Sequence, residues 1–168
     1  MPKIIENLRE NLIQEARRQV EASGYAALTI RSVASACGVG VGTVYNYFSS
    51  KDALVAAFML ADWQKCMDTI HAVGGDAATA EPVLRCIYQQ IQIFIERHRA
   101  LFSDEAAAAS FSGSHSPYHS LLRRQLAQPV EEFCSDPFTA EFISEALLTW
   151  TVAGRDFEEI YALIKKIL

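Results

Sequence analysis

Apolar residues recur at intervals of three or four along nearly the whole chain, and no segment keeps up the alternation that a half-buried β-strand requires. The first stripe of this kind predicts an amphipathic helix that ends at Gly24, a residue suited to the left-handed conformation behind a helix. Its members are Ile5, Leu8, Leu12, Ala16 and Val20. Because similar spacing continues to the end of the chain, the pattern predicts an all-α fold.

The segment after this first helix predicts two short helices and the beginning of a longer one. Thr29 is expected to cap a second helix, which Gly38 should stop within three turns. A third short helix is expected from about Gly40 to Tyr47. The sequence Ser49-x-x-Asp52 resembles a capping box and should open the fourth helix.

Longer helices and more distinct loops are expected after this point. The sequence Gly74-Gly75-Asp76 predicts a break in the chain. The two final helices, at roughly 137–153 and 156–168, have only Gly154-Arg155 between them, so they should form an antiparallel hairpin. The pattern divides the chain into a small N-terminal domain, residues 1–52, and a larger C-terminal domain, residues 53–168.

Composition narrows the classes of protein that fit this pattern. Of 168 residues, 51% are hydrophobic, which is enough for a buried core, but charged or polar residues interrupt every stretch that could span a membrane. The N-terminus resembles neither a signal peptide nor a transit peptide, so a soluble cytoplasmic protein is expected. Residues 1–52 hold six basic and five acidic side chains, whereas the remainder carries −6, so contact with nucleic acid should be confined to the N-terminal quarter.

Two short helices joined by a glycine turn and preceded by a longer helix have the layout of a helix-turn-helix, whose second short helix enters the major groove of DNA. In this chain that recognition helix, with the residue or two after it, is Gly-Val-Gly-Thr-Val-Tyr-Asn-Tyr-Phe from Gly40 to Phe48. It is rich in glycine and aromatic residues and lacks the leucines of a core helix. Small side chains and hydroxyls let a helix approach DNA closely and still form hydrogen bonds, so the segment predicts binding of double-stranded operator DNA.

The order and spacing of these residues resemble the DNA-binding domain of the tetracycline-repressor (TetR) family. The resemblance covers about residues 5–58, and it rests on Gly24-Tyr25, Leu28-Thr29, Val33-Ala34, Gly38 to Phe48, and Lys51-Asp52-Ala53-Leu54. It implies a three-helix DNA-binding domain, a helical C-terminal domain that holds an inducer, and a homodimer made by the last two helices. It also implies regulation of transcription, more often by repression than by activation.

The DNA contacts implied by the resemblance are Arg31, Val41, Gly42, Thr43, Tyr45, Asn46, Tyr47 and Lys51. Arg31 is similar to a family residue that reaches a base, and its guanidinium can pair with guanine O6 and N7. The three residues from Val41 match positions that read base edges, whereas the two tyrosines and Lys51 match phosphate contacts. Asn46 offers an amide for adenine. Where the family often has serine or another polar residue to cap the recognition helix, this chain has Gly40.

The C-terminal domain is rich in apolar and aromatic residues, most of which core packing explains. If it contains an inducer cavity, as the resemblance implies, the cavity should take a small apolar or aromatic molecule. The candidate lining residues are Trp63, Met67, Tyr88, Ile91, Phe94 and Phe111. The last two helices each carry an apolar face suited to a two-fold interface, for which the candidates are Phe142, Ala146, Trp150, Phe157, Ile160, Tyr161 and Ile164.

Two other classes of function stay open. One is a DNA-binding dimer whose larger domain binds a protein or no ligand at all, and the other is a small helical enzyme that uses a thiol or a histidine. The enzyme is disfavoured because no nucleophile stands beside a base at a recognisable spacing. The four cysteines form no C-x-x-C pair, so reduced, partly buried thiols are favoured over a redox sensor. His115 and His119 straddle Pro117, which disfavours a zinc site, and neither a cofactor nor a metal is expected.

Overall fold

The computed structural model describes the backbone of residues 7–107 and 117–168, and the side chains of these residues apart from 117–119. All regular secondary structure within these ranges is helical, which confirms the predicted all-α fold. The α-helices are α1 (Leu8–Ser23), α2 (Ile30–Ala36), α3 (Val41–Tyr45), α4 (Lys51–Asp76), α5 (Ala80–Arg97), α6 (Arg99–Phe102), α7 (Pro117–Ala127), α8 (Pro137–Val152) and α9 (Phe157–Ile164). A 3-10 helix, Gln128–Phe133, follows α7.

The described residues fall into two compact units. The first unit contains the residues up to Ala61 together with 98–107, and the second contains Asp62–Arg97 together with 117–168. This division reflects how densely residues pack, whereas the predicted boundary after residue 52 separates a DNA-binding domain from a ligand-binding domain. The boundary therefore stays a prediction.

The core of the first unit forms where α1, α2 and α4 bury their apolar faces. The predicted α1 stripe is confirmed from Leu8 onward, because Leu8, Leu12, Ala16 and Val20 are all buried; Ile5 lies outside the described residues. In α3, by contrast, Val44 is the buried residue. Within α3 this side chain packs into the core, whereas Val41, Gly42 and Tyr45 remain exposed for other contacts.

The second helix begins as its sequence predicts. The Thr29 hydroxyl oxygen accepts a hydrogen bond from the Ser32 N–H at 3.0 Å, and the Thr29 N–H donates to the Ser32 hydroxyl oxygen at 3.2 Å. This reciprocal pair satisfies N–H groups that have no partner inside the helix. Because α2 is only 7 residues long, its cap accounts for a large share of its local stability.

A Thr29→Ala substitution is therefore expected to lower the free energy of unfolding by about 1 kcal/mol, the usual effect of losing an N-cap hydroxyl. Thr29→Ser is the matched control, because serine keeps the oxygen that accepts from Ser32. Thermal and urea unfolding of the purified variants measure the difference. Equal loss of stability in the alanine and serine variants would show that the hydroxyl is not what matters at this position.

The fourth helix starts one residue away from the predicted box. The Ala53 N–H donates to the hydroxyl oxygen of Ser50, not of Ser49, at 3.0 Å, and α4 begins at Lys51. The side chain of Asp52, which the box would direct back toward the cap, instead accepts a hydrogen bond from the Tyr25 hydroxyl. A tertiary contact has thus replaced the local one that the motif suggested.

The predicted break at Gly74-Gly75-Asp76 is confirmed at its last residue, because α4 continues through both glycines and ends at Asp76. Gly74 is buried, and a Cβ atom placed on it would lie 3.7 Å from the Cβ of Pro129. A glycine inside a helix costs about 1 kcal/mol relative to alanine, which packing of the surrounding helix can offset. The chain leaves the helix only after the second glycine.

In the second unit, α8 packs against both α5 and α7, and α9 packs against α5 and α8. The predicted tight connection between the last two helices is confirmed: Gly154 has a φ of +76° and its N–H donates to the Thr151 carbonyl at 3.0 Å. A left-handed glycine ends one helix here and lets the chain turn into the next. Within the described ranges, no helix combines the length and apolar character needed to cross a bilayer.

Candidate nucleic-acid interface

Backbone hydrogen bonds fix the turn between α2 and α3. Gly38 has a φ of +66°, a conformation in which most side chains would be strained. The Val39 N–H donates to the Ala34 carbonyl at 3.0 Å, and the Gly40 carbonyl accepts from the Thr43 N–H at 2.9 Å. The two helices are therefore joined by a defined turn, as a helix-turn-helix requires.

The outward surface of α3 and the residues just after it is small and uncharged. Tyr45 is 54% exposed and Tyr47 is 47% exposed. Val41, Gly42 and Asn46 are also exposed, and Thr43 is half-buried. A Cβ atom placed on Gly42 would have no neighbour within 4 Å. The six predicted contacts of this segment are thus accessible from solvent, as a DNA-reading surface must be.

The two predicted cationic contacts lie in different surroundings. Arg31 is an exposed residue in the first turn of α2. Lys51 is half-buried at the start of α4, with its Nζ 3.2 Å from the carbonyl oxygen of Tyr25 and 3.8 Å from the centre of the Tyr25 ring. The ammonium of Lys51 is therefore held in place before any DNA arrives.

One further cation lies beside this surface and was not among the predicted contacts. The guanidinium of Arg9, on the exposed side of α1, lies 5.4 Å from the ring centre of Phe48, a buried residue just beyond α3. The sequence marks Arg9 as a polar position on an amphipathic helix, but it carries no signal that brings this helix next to Phe48. Arg9 is thus an additional candidate for a phosphate contact.

The thiols show no sign of activation. Cys66 and Cys86 are buried, and Cys37 and Cys134 are half-buried. Burial raises the pKa of all four thiols above the ordinary value, which keeps them protonated near neutral pH. Among residues 7–107 and 120–168, no three side chains of histidine, cysteine, aspartate or glutamate come together in a way that could hold a metal ion, and the disfavoured zinc pair His115 and His119 lies outside the described side chains.

The predicted ligand-lining residues are mostly buried in the second unit. Trp63, Met67, Ile91 and Phe94 are buried, Tyr88 is half-buried, and Phe111 lies outside the described residues. The rings of Trp63 and Phe94 meet edge to face at 5.4 Å, and the Trp63 indole N–H donates to the side-chain oxygen of Gln125 at 2.7 Å. The Tyr88 hydroxyl donates instead to the Arg155 carbonyl at 3.1 Å.

A surface cleft of about 650 Å³ lies elsewhere in the second unit, between the end of α4 and the 3-10 helix. Its lining residues include His71, Pro129 and Glu132, and none of the predicted ligand-lining residues is among them. The assignment of those residues to an inducer cavity therefore stays a prediction.

The predicted interface residues divide into two sets. Phe142 and Trp150 are exposed and Ala146 is half-buried; with the exposed Phe138 they recur every four residues along α8. We call Phe138, Phe142, Ala146 and Trp150 the α8 stripe. The remaining candidates face inward, because Phe157, Ile160 and Ile164 are buried and Tyr161 is half-buried. Their own chain already covers them, so the α8 stripe offers more apolar surface to a partner.

Gly42 provides a direct test of the α3 surface. Gly42→Ala is expected to raise the free energy of unfolding by about 0.5–1 kcal/mol, because alanine favours the helix and nothing obstructs its methyl group. The same methyl group should weaken DNA binding at least about tenfold, or 1.4 kcal/mol, by preventing close approach to base edges. Gel-shift titration measures the second effect.

The matched control is Gly75→Ala in α4, where a Cβ atom also has no neighbour within 4 Å. It should raise stability in the same way and leave DNA binding unchanged. If Gly42→Ala binds DNA as well as the wild type does, the close approach assigned to this surface is wrong.

The N-terminal residues match a known family. Residues 12–58 match the model of the tetR family of bacterial regulatory proteins. Over 59 residues the chain is 27% identical to the HTH-type transcriptional regulator UidR of Escherichia coli strain K12, and this match covers 35% of the chain but only 30% of UidR. Over 132 residues it is 24% identical to the HTH-type transcriptional repressor AcnR of Corynebacterium efficiens, covering 75% of the chain and 68% of AcnR.

The fold has a counterpart among solved structures. The chain superposes with a TM-score of 0.64 and 16% identity on FadR of Thermus thermophilus, a TetR family transcriptional repressor solved in complex with lauroyl-CoA. The superposition covers 94% of this chain and 91% of FadR. At this identity the likeness shows the shared fold alone. The match over residues 12–58, together with the turn geometry and the exposed recognition helix, shows that the N-terminal part of the chain is a DNA-binding domain of the tetR family of bacterial regulatory proteins.

Proposed function

We propose that the protein is a ligand-responsive regulator of transcription that acts as a repressor. It binds palindromic operator DNA as a homodimer in the cytoplasm. The observation that carries this proposal is the exposed, uncharged surface of α3, with open space above Gly42 and with Tyr45 directed to solvent. A surface of this kind can enter a groove and contact base edges without a charged side chain. Family membership also disfavours the thiol or histidine enzyme, because TetR proteins are regulators.

Contacts on the DNA divide into two kinds. Val41, Gly42 and Thr43 would meet base edges, and Arg31 would pair with a guanine. Tyr45, Tyr47 and Lys51, and in addition Arg9, would bind phosphate oxygens and so set the position of the helix along the groove. Asn46 would supply the amide for an adenine contact.

The homodimer is supported by the exposed apolar surface of α8. The α8 stripe presents three large exposed apolar side chains, with Ala146 among them, along one face of α8, and Phe138 is 73% exposed. Contiguous apolar surface of this kind usually marks an interface. A two-fold pair would place two recognition helices on successive turns of the major groove and would explain a palindromic operator.

The ligand proposed for the second unit is a small apolar or aromatic molecule, such as could pack among Trp63, Met67 and Phe94. Support comes from the apolar character of these buried residues and from the fold shared with FadR of Thermus thermophilus, which binds lauroyl-CoA. Ligand binding would favour a spacing of the two recognition helices that no longer fits the operator.

An alternative is a DNA-binding dimer that uses no small molecule. The contact between Trp63 and Phe94 and the hydrogen bond from Trp63 to Gln125 favour it, because these groups already satisfy one another within the chain. Thermal-shift screening separates the two functions. A molecule that stabilises the protein and also releases it from DNA supports the sensor, whereas a screen in which no molecule stabilises the protein supports the alternative.

Selection of bound sequences from a random duplex library tests the central claim. A palindromic consensus with half-sites one helical turn apart is the expected result. Recovery of no enriched sequence, with no gel shift at low salt, would rule out DNA binding by this chain.

A further inference from the structure

We propose that Tyr25 is a positioning residue for DNA binding, whose aromatic ring holds the Lys51 ammonium where it meets a DNA phosphate. This inference rests on the proposed DNA-binding function. It assigns a role to a side chain that is itself only 4% exposed and therefore does not touch DNA.

Three contacts carry the inference. The Lys51 Nζ lies 3.8 Å from the centre of the Tyr25 ring, within the range of a cation–π interaction. The same Nζ donates a hydrogen bond to the Tyr25 carbonyl oxygen at 3.2 Å. At the far end of the ring, the Tyr25 hydroxyl donates to the carboxylate of Asp52. One residue thus contacts a cation with its ring and backbone and an anion with its hydroxyl.

The ring is well placed to hold the ammonium because it is itself fixed. The Tyr25 carbonyl also accepts a hydrogen bond from the Leu28 N–H at 3.2 Å, which ties it into the turn before α2. A free lysine side chain loses rotamer entropy when it is ordered. Lys51 has been ordered before it meets DNA, so binding incurs less of that entropic cost.

The Asp52 contact has a second consequence. Asp52 follows Lys51 at the start of α4 and carries the opposite charge, so an unengaged carboxylate near the DNA would repel phosphate. Its hydrogen bond with the Tyr25 hydroxyl keeps that carboxylate on the protein side of the cluster. Lys51 has three N–H donors, so the bond to the Tyr25 carbonyl leaves the ammonium able to donate to a phosphate oxygen.

The test compares two residues of nearly equal shape at position 25. Both variants lose the hydroxyl that binds Asp52, so the comparison between them isolates the ring: Tyr25→Phe keeps an electron-rich ring face, whereas pentafluorophenylalanine reverses the charge distribution of the ring and repels a cation. Binding to the duplex recovered by random-library selection is measured across a range of salt concentrations for both variants. Lys51→Gln, alone and combined with each change at position 25, completes the set.

Loss of the Lys51 phosphate contact should reduce the magnitude of the slope of log Kobs against log salt by about 0.9 per subunit, or about 1.8 per dimer. Lys51→Gln should show this full reduction. The pentafluorophenylalanine protein should approach this reduction and Tyr25→Phe should stay close to the wild-type slope, and the two changes at position 25 should give equal slopes once Lys51 is absent. A change in folding stability alone would not move the slope.

Failure of this inference is distinguishable from failure of the proposed function. If the wild type recovers no duplex, the DNA-binding function fails. If the wild type binds but Lys51→Gln or the pentafluorophenylalanine protein keeps the wild-type slope, the positioning role of Tyr25 is wrong. NMR provides a second readout in the absence of DNA: the Lys51 ε-methylene protons should be shifted upfield by the ring in the wild type and in Tyr25→Phe, and unshifted protons in both would also overturn the inference.

Discussion

Trp150→Glu is expected to convert the proposed dimer to a monomer and to weaken operator binding by about 10²–10⁴-fold, because one recognition helix without its partner loses the gain from simultaneous contact. Trp150 is 49% exposed on the α8 stripe, so a carboxylate there would be buried without a partner in the dimer and solvated in the monomer. Sedimentation velocity and gel-shift titration measure the two effects.

Leu60→Glu is the matched control for this change. Leu60 is 52% exposed in α4, so the substitution alters the same property at a similar exposure but outside the last two helices. It should leave both the dimer and operator affinity unchanged. A dimer that survives Trp150→Glu, or one that both variants disrupt equally, would show that the α8 stripe is not the interface.

Arg31→Ala is expected to weaken specific DNA binding by about 1–3 kcal/mol per half-site and to relax the preference at a single base pair. The reason is that a forked guanidinium distinguishes guanine through two hydrogen bonds at once, which alanine cannot replace. The variant should fold normally, because Arg31 is exposed. Random-library selection repeated with the variant measures the change in base preference directly.

Arg18→Ala controls for the loss of one positive charge. Arg18 is exposed on α1 and forms an ion pair with Glu15 at 2.7 Å, and it is not among the predicted DNA contacts. Its removal should leave base preference unchanged. A selection experiment in which Arg31→Ala recovers the wild-type consensus with wild-type affinity would contradict direct readout by this residue.

The helix-turn-helix could be predicted from the sequence because its signals are local. Thr29 caps α2, Gly38 adopts the left-handed conformation, and Val44 is buried at the spacing the pattern required. Each of these depends on residues a few positions apart, where propensity and capping chemistry decide the structure. The boundaries of α3 were one or two residues too generous, as is common for short helices.

Features that depend on tertiary contacts could not be predicted in the same way. Nothing in the local sequence indicates that Tyr25 would engage both Lys51 and Asp52, or that Gly74 would pack inside a helix against Pro129. In α9, the spacing of apolar residues correctly indicated a buried face. It did not indicate that the same chain, and not a partner subunit, covers that face. A periodic pattern fixes the direction of a side chain relative to its own helix and leaves its partner undetermined.

Within α3, Val44 is the buried residue, so the constraint that folding places on this helix falls on a different position from the constraints that DNA recognition places on it. Replacement of Val41, Gly42 or Tyr45 changes a face that supports nothing inside the protein, so base preference can drift while the scaffold persists. The same separation makes this helix a suitable starting point for engineering altered operator specificity by randomising its outer positions and holding Val44 constant.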